Sequence, residues 1–302
     1  MNINEEIHKL KKERRAVILA HNYQVPEVQD IADYVGDSLG LSIQAARTDA
    51  EVIVFCGVHF MAETAKILSP DKKVLLPDLH AGCPMADMID AEQLRALKAQ
   101  HPKAKVICYV NTTAAVKAEC DLCCTSANAV KMVGEVLKDA EEIIFVPDQY
   151  LAAYVTAKTG RKMITWQGCC PTHAKILPEH LLEGKKRRPA AEIIAHPECR
   201  PEVTRIADVV ASTEGMLTYI RDSKTKEFIV GTEQGIIHRM QKQNPDKQFY
   251  EPAKAAICPD MKRITLEKVL RSLKDMVHEI SVPPETADRA RTSIRRMLDH
   301  VD

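Results

Sequence analysis

AVILAHNYQVPEVQDIADYVGDSLG (16–40) has a counterpart 175 residues further along the chain, EIIAHPECRPEVTRIADVVASTEG (192–215). The pairs His21/His196, Pro26/Pro201, Glu27/Glu202, Val28/Val203, Ile31/Ile206, Ala32/Ala207, Asp33/Asp208, Val35/Val210 and Gly40/Gly215 make nine identities in the 20 positions from His21 to Gly40. A more divergent copy, KVICYVNTTAAVKAECDLCCTSAN (105–128), lies at an offset of 88 from the first. It keeps Asp121 for Asp33 and Ser126 for Ser38, and puts Tyr109 where His21 stands and Asn111 where Tyr23 stands. Self-similarity at a fixed period marks a repeat architecture.

The remainder of each unit repeats in pattern. A helical stretch follows each copy, then a short apolar run: EVIVFCG (51–57), EIIFVPD (142–148) and EFIVGTE (227–233). A further helix leads to a third run: KKVLLPD, RKMITWQ and KQFYEPA. Short apolar runs separated by helical segments read as buried parallel strands in βαβ units. The expected fold is therefore α/β, with three similar three-layer αβα units at residues 1–100, 101–188 and 189–275. A C-terminal helical tail over 276–302 is expected to pack on the first unit. One continuous doubly wound sheet is the alternative. Ligands of open α/β sheets bind beyond the carboxyl ends of the strands. Each unit puts a polar cluster there: HNY, YVN and HPE. A pseudo-threefold arrangement would turn all three toward one central cavity.

Composition narrows the partners. Lysine plus arginine equals aspartate plus glutamate at 42 each, and only 4% of the 302 residues are aromatic. Neither a nucleic-acid surface nor a membrane surface suits that balance. The opening MNINEEIHKLKKERR reads as an amphipathic helix rather than a secretory signal, so a cytoplasmic location is expected. Without an oxidising compartment, ten cysteines point to metal or catalysis rather than disulfides.

Three cysteines stand out by period. Cys83, Cys170 and Cys258 each precede proline, at spacings of 87 and 88. Those are the repeat offsets, and each Cys-Pro follows the third apolar run of its unit. Taken singly, each would read as a packed thiol; matched positions in three units can instead meet at one point. Three thiolates and no fourth protein ligand suit zinc or an iron–sulfur cubane with one open iron, which acts as a Lewis acid. Of the others, Cys56 and Cys108 read as strand packing. Cys169 is the nearest competitor of Cys170. The C-x-x-C of Cys120 and Cys123, beside Cys124, falls in an expected helical stretch. Cys199 sits in the third polar cluster, and lining the cavity and packing suit it equally.

His21, Tyr23, Tyr109, Asn111, His196 and Glu198 occupy two matched positions in three units, and supply proton-transfer and oxygen-orienting groups. His173 is three residues past Cys170, on the opening turn of a helix. Ser38, Ser126 and Thr213 each precede a helical segment. They read as N-caps, or as hydroxyls at helix ends that hold phosphate or carboxylate.

The strings AHNYQVPEVQDIADYVGDS, FMAE, GCPMAD, YVNTTAAVKAECD, CTSANAV, CCPTHAKI, AHPECRPEV and GTEQGIIHRM resemble the quinolinate synthase family from about residue 17 to residue 275. That resemblance implies three α/β domains about a pseudo-threefold axis, and a [4Fe–4S] cluster on Cys83, Cys170 and Cys258 in the central cavity. It implies condensation of iminoaspartate with dihydroxyacetone phosphate, releasing phosphate and water to form quinolinate, a precursor of NAD. A functional partner supplying iminoaspartate belongs to the same picture. It further implies substrate contacts at His21, Tyr23, Ser38, Tyr109, Asn111, Ser126, His173, His196, Glu198, Ser212 and Thr213. Tyr23 and Glu198 are the expected proton-transfer groups, with His21 and His196 assisting. Two other readings stand beside it: a structural zinc protein, its Cys₃ site completed by His173 or Cys169, and an anion-binding protein without chemistry.

Overall fold

The computed structural model describes residues 2–252 and 256–300; Ala253, the last residue of the expected KQFYEPA run, lies outside them. Its framework is three separate four-stranded sheets, not one continuous sheet. The first contains β1 (Ala16–His21), β2 (Tyr34–Gly36), β3 (Val52–Cys56) and β4 (Lys73–Leu75). The second contains β5 (Lys105–Tyr109), β6 (Leu122–Cys124), β7 (Ile143–Val146) and β8 (Ile164–Thr165). The third contains β9 (Glu192–Ala195), β10 (Val209–Val210), β11 (Glu227–Gly231) and β12 (Gln248–Tyr250). Every pairing is parallel, and each sheet has the same order: second, first, third, fourth strand of its unit.

The central strands are apolar because helices cover both faces of a parallel sheet. All five residues of β3 and all four of β7 are buried. Sequence patterning found three strands per unit, and the structure has four. The missed ones are β2, β6 and β10, each only two or three residues long. They pair with the first strand of their unit through Leu19↔Tyr34, Ile107↔Leu122 and Ile194↔Val209. An apolar run that short carries no readable periodicity.

The repeated aspartate explains these edge strands. Asp33 N–H donates to the Ile18 carbonyl at 2.9 Å, and Asp33 Oδ2 accepts Ile18 N–H at 2.8 Å. Asp121 makes the same two bonds to Val106, and Asp208 to Ile193. Each aspartate thereby starts the edge strand beside the first strand of its unit. The same geometry corrects the expectation for the C-x-x-C. Its segment leaves the helix at Lys117, and Cys123 and Cys124 lie in β6. Cys123 is buried opposite Cys108 of β5, with their sulfurs 3.5 Å apart.

The C-terminal segment touches two units. Ile280 N–H donates to the Val74 carbonyl at 2.8 Å and Leu76 N–H to the His278 carbonyl at 3.1 Å, extending the β4 edge in the antiparallel sense. The helix Pro284–Leu298 then packs on the first unit's helix His59–Leu68 and, in the second unit, on the helix Ala114–Lys117 and β6. Among the described residues no helix is long and apolar enough to cross a membrane.

Candidate active site

The carboxyl ends of all three sheets open on one cavity of about 150 Å³. From the first unit, His21 and Tyr23 follow β1, Ser38 follows β2, and Cys83 follows β4. The second unit contributes Tyr109 and Asn111 after β5, Ser126 after β6, and Cys170 with His173 after β8. From the third come His196 and Glu198 after β9, Thr213 after β10, and Cys258 after β12. Of the residues expected at the site, only Ser212 does not line the cavity.

The hydroxyl set departs from its reading as N-caps. Asp37 caps the helix Ser38–Arg47 by accepting Gly40 N–H at 2.8 Å, and Ser212 caps the helix Thr213–Asp222 by accepting Gly215 N–H at 3.2 Å. Ser38 and Thr213 are each one residue inside, on the first helical position, while Ser126 precedes the Asn128 cap. Capping by the preceding residue in two of the units leaves the next hydroxyl to face the cavity. Thr213 Oγ1 accepts from Asn22 Nδ2 at 2.9 Å, tying the third unit to the first.

Two histidines are held by one local turn. His21 Nδ1 accepts Tyr23 N–H at 3.1 Å, and His196 Nδ1 accepts Glu198 N–H at 3.3 Å. With Nδ1 accepting, the neutral ring carries its proton on Nε2, and His196 Nε2 lies 3.1 Å from Ser126 Oγ. Burial pushes both imidazoles down to about 3, so both are neutral near pH 7.

Glu198 is the electrostatic centre. Tyr109 Oη donates to its Oε1, and His173 Nδ1 lies 2.8 Å from its Oε2. Burial pushes this carboxyl up, but His173, the hydrogen bonds and His196 outweigh burial and hold it well below the usual carboxylate range. Burial, reinforced by the charge of Glu198, raises the Tyr23 and Tyr109 phenols well above their ordinary value. His173 Nδ1 also lies 3.2 Å from Cys170 Sγ, and its Nε2 lies 2.8 Å from Thr232 Oγ1, which in turn is 2.6 Å from Tyr23 Oη. The chain Tyr23–Thr232–His173–Glu198–Tyr109 thus runs through all three units. A continuous line of hydrogen-bonding groups of this kind has the donors and acceptors that a proton relay requires. Asn111 Oδ1, buried at the wall, has no partner among the described residues, an acceptor left for a ligand's N–H or O–H.

The three periodic cysteines fit a thiolate-bound metal centre. All are reduced, and each is half-buried. Burial raises every one of these thiols, Cys83 to about 12, and Cys258 close by raises Cys83 further. Three thiolates become favourable together only with a cation among them. Because these sulfurs do not all lie within 4.8 Å of one another, the set suits a larger iron–sulfur cluster and not the single three-cysteine zinc ion weighed from the sequence. None of the other seven lines the cavity. Cys56, Cys108, Cys123, Cys124 and Cys199 are fully buried; Cys120 Sγ donates to the Val116 carbonyl, Cys169 N–H to Met88 sulfur, and Cys199 Sγ to the Gly231 carbonyl.

Sequence reasoning missed Thr232, Glu233, Asp37 and Asp148. The matched runs ending in Asp148 and Glu233 carried a signal, an acid at the same position after the third strand of two units. Both are fully buried. Asp148 caps the helix Gln149–Thr159 through Oδ1, while its Oδ2 has no partner among the described residues.

Fold and site together define a class: a three-unit α/β protein whose units jointly build one acid–base cavity carrying three thiols. The chain belongs to the quinolinate synthetase A protein family, whose model matches residues 5–299. It is 56% identical to the quinolinate synthase of Methanosarcina barkeri over 294 residues, 97% of this chain and 96% of that one. It is 56% identical over 296 residues to the quinolinate synthase of Dehalococcoides mccartyi, covering 98% and 97%. The quinolinate synthase of Geotalea uraniireducens is 53% identical over 296 residues, covering 98% and 97%.

Proposed function

We propose that this chain is a quinolinate synthase, condensing iminoaspartate with dihydroxyacetone phosphate and releasing phosphate and water on the route to NAD. The observation that carries the reading is the convergence of the acid–base set of three units on the cavity bearing Cys83, Cys170 and Cys258. Those three cysteines would hold a [4Fe–4S] cluster. Bound there, its open iron would supply Lewis-acid chemistry to substrate oxygens.

The chain's own residues do the rest. Ring closure needs several proton transfers on one held intermediate, so several positioned acid–base groups around one cavity suit it. Glu198, ionised and made a weak base by the bonds from Tyr109 and His173, takes a proton when substrate displaces one of those bonds. Tyr23 and Tyr109, kept neutral by burial and by Glu198, give them. His21 and His196, neutral with their Nε2 protons in the cavity, donate hydrogen bonds to substrate oxygens or shuttle protons. Ser38, Ser126, Thr213 and Asn111 bind the phosphate and carboxylates. His173 hands protons between Glu198 and the Tyr23–Thr232 side. Imines hydrolyse in water, so a separate oxidation of aspartate close at hand would supply the nitrogen substrate. A cytoplasmic location accords with this chemistry.

A second reading has its own observation. Ligand atoms of Cys170, His173 and Glu198 lie within 4.8 Å of one another, a mixed set that suits zinc. Iron, sulfide and zinc content with the visible spectrum, on protein purified without oxygen, separates the two. Iron and sulfide with brown absorption, and quinolinate formed from the two substrates, support the synthase. Colourless zinc protein making no quinolinate replaces it.

A further inference from the structure

We infer that Glu233 and Lys262, outside the proton-transfer set above, are a positioning pair that fixes the Tyr23 phenol and the Cys258 thiol relative to each other. The inference rests on the quinolinate synthase reading of the cavity. Glu233 follows β11; its side chain is wholly buried, while that of Lys262 is 21% exposed. Lys262 Nζ lies 2.9 Å from Glu233 Oε1 and 3.1 Å from Oε2, and it donates a further bond to the Tyr23 carbonyl. Glu233 Oε1 also accepts the Cys258 N–H at 3.1 Å, and Oε2 accepts the Gly235 N–H at 2.7 Å. One carboxylate therefore spans two turns of the third unit, and its ammonium partner reaches into the first.

Three further contacts tighten the same joint. Thr232, the residue before Glu233, holds the Tyr23 hydroxyl at 2.6 Å, so this turn fixes Tyr23 at both its backbone and its phenol. Gln29 Nε2 shares its two N–H groups among the carbonyls of Asn22, Gln24 and Gly235, 3.1, 2.8 and 2.8 Å away, lashing the first unit's loop to the turn. A Cβ on Gly235 would sit 2.7 Å from Lys262 Nζ and 2.8 Å from the Tyr23 carbonyl, so the backbone must come this close. A buried ion pair is an expensive way to gain stability, since desolvation offsets its attraction; its directional bonds instead fix register. Register is what the cavity needs, because Tyr23 and Cys258 come from different units.

The test uses the full chain as wild type, Glu233→Gln, Lys262→Met and the doubly neutral Glu233→Gln/Lys262→Met. The double variant leaves no buried charge unpaired, and urea denaturation beside wild type checks that it folds. Misplacing reacting groups lowers turnover more than binding, so kcat for quinolinate falls about 10- to 100-fold, with KM within about 3-fold of wild type. A second readout needs no activity: iodoacetamide labelling of the metal-free chain, followed by mass spectrometry. Labelling of Cys258 accelerates about 10-fold in the variants relative to Cys83, on the scale of the misplacement. Wild-type kcat with an unchanged Cys258/Cys83 labelling ratio overturns the inference. Equal acceleration at Cys83, Cys170 and Cys258 also overturns it, because that is general loosening. If wild type itself makes no quinolinate, the functional reading falls and takes the inference with it.

Discussion

His173 Nδ1 lies 2.8 Å from Glu198 Oε2, joining the cysteine turn of the second unit to the end of β9 in the third. Both side chains are almost wholly buried, at 2% and 5% exposure, so this contact exists only when the units are assembled. It places an ionised carboxylate within reach of Tyr109, His173 and, through Thr232, Tyr23. Glu198→Gln keeps the shape and removes the base. We expect kcat to fall by about 10² to 10⁴, the usual worth of a positioned acid–base group. Steady-state quinolinate formation checks this; a loss under about 10-fold would take Glu198 out of proton transfer.

The thiol assignment predicts an all-or-none metal pattern. Cys83→Ala, Cys170→Ala and Cys258→Ala should each lose the roughly four irons and matching sulfide of a cubane. Cys120→Ala should keep them, because its sulfur bonds the Val116 carbonyl away from the cavity. Metal analysis of anaerobic protein decides; full iron in any one of the three variants removes that cysteine from the ligand set.

Asp37 gives a pH prediction with a definite sign. Burial raises its carboxyl from 3.8 to about 6, against the bond it accepts from Gly40. A raised folded value means the native state holds the proton more tightly than the unfolded chain. The stability this gives is fully present below about pH 3.8 and is lost as pH rises through about 6. Asp37→Asn keeps the cap and cannot ionise. Relative to wild type, the variant should gain up to about 3 kcal/mol between pH 4 and pH 7, because each tenfold difference in proton affinity between folded and unfolded chains is worth about 1.4 kcal/mol. Urea melts of the two proteins at both pH values measure it; parallel stability curves would refute it.

The repeated aspartate predicts a structural cost with no effect on chemistry. Asp208 Oδ2 accepts Ile193 N–H at 2.8 Å near the amino end of β9, and Asp208 does not line the cavity. Asp208→Ala should destabilise the chain by about 1–2 kcal/mol, while Asp208→Asn, which keeps an acceptor, should recover most of it. Chemical denaturation reads the difference, and an Asn variant as weak as the Ala variant would deny the bond its role.

Much of this protein was legible in its sequence because the chain says the same thing three times. The offsets of 175 and 88 set the units, and the spacings of 87 and 88 selected Cys83, Cys170 and Cys258 from ten cysteines. The matched pairs after the first strands yielded His21, Tyr23, Tyr109, Asn111, His196 and Glu198. Periodicity and local residue chemistry are properties of the chain, so they survive without coordinates. Other features were decided only by tertiary structure. The edge strands β2, β6 and β10 are too short to carry a pattern and exist because an aspartate bonds the neighbouring strand. Ser212 caps a helix while Thr213 faces the cavity, a choice set by one residue of helix register. The links from Tyr23 to Thr232, from His173 to Glu198 and from Lys262 to the Tyr23 carbonyl all cross between units. A repeat fixes what each unit offers, but only burial of three units against one another brings those groups within hydrogen-bond reach and sets their protonation.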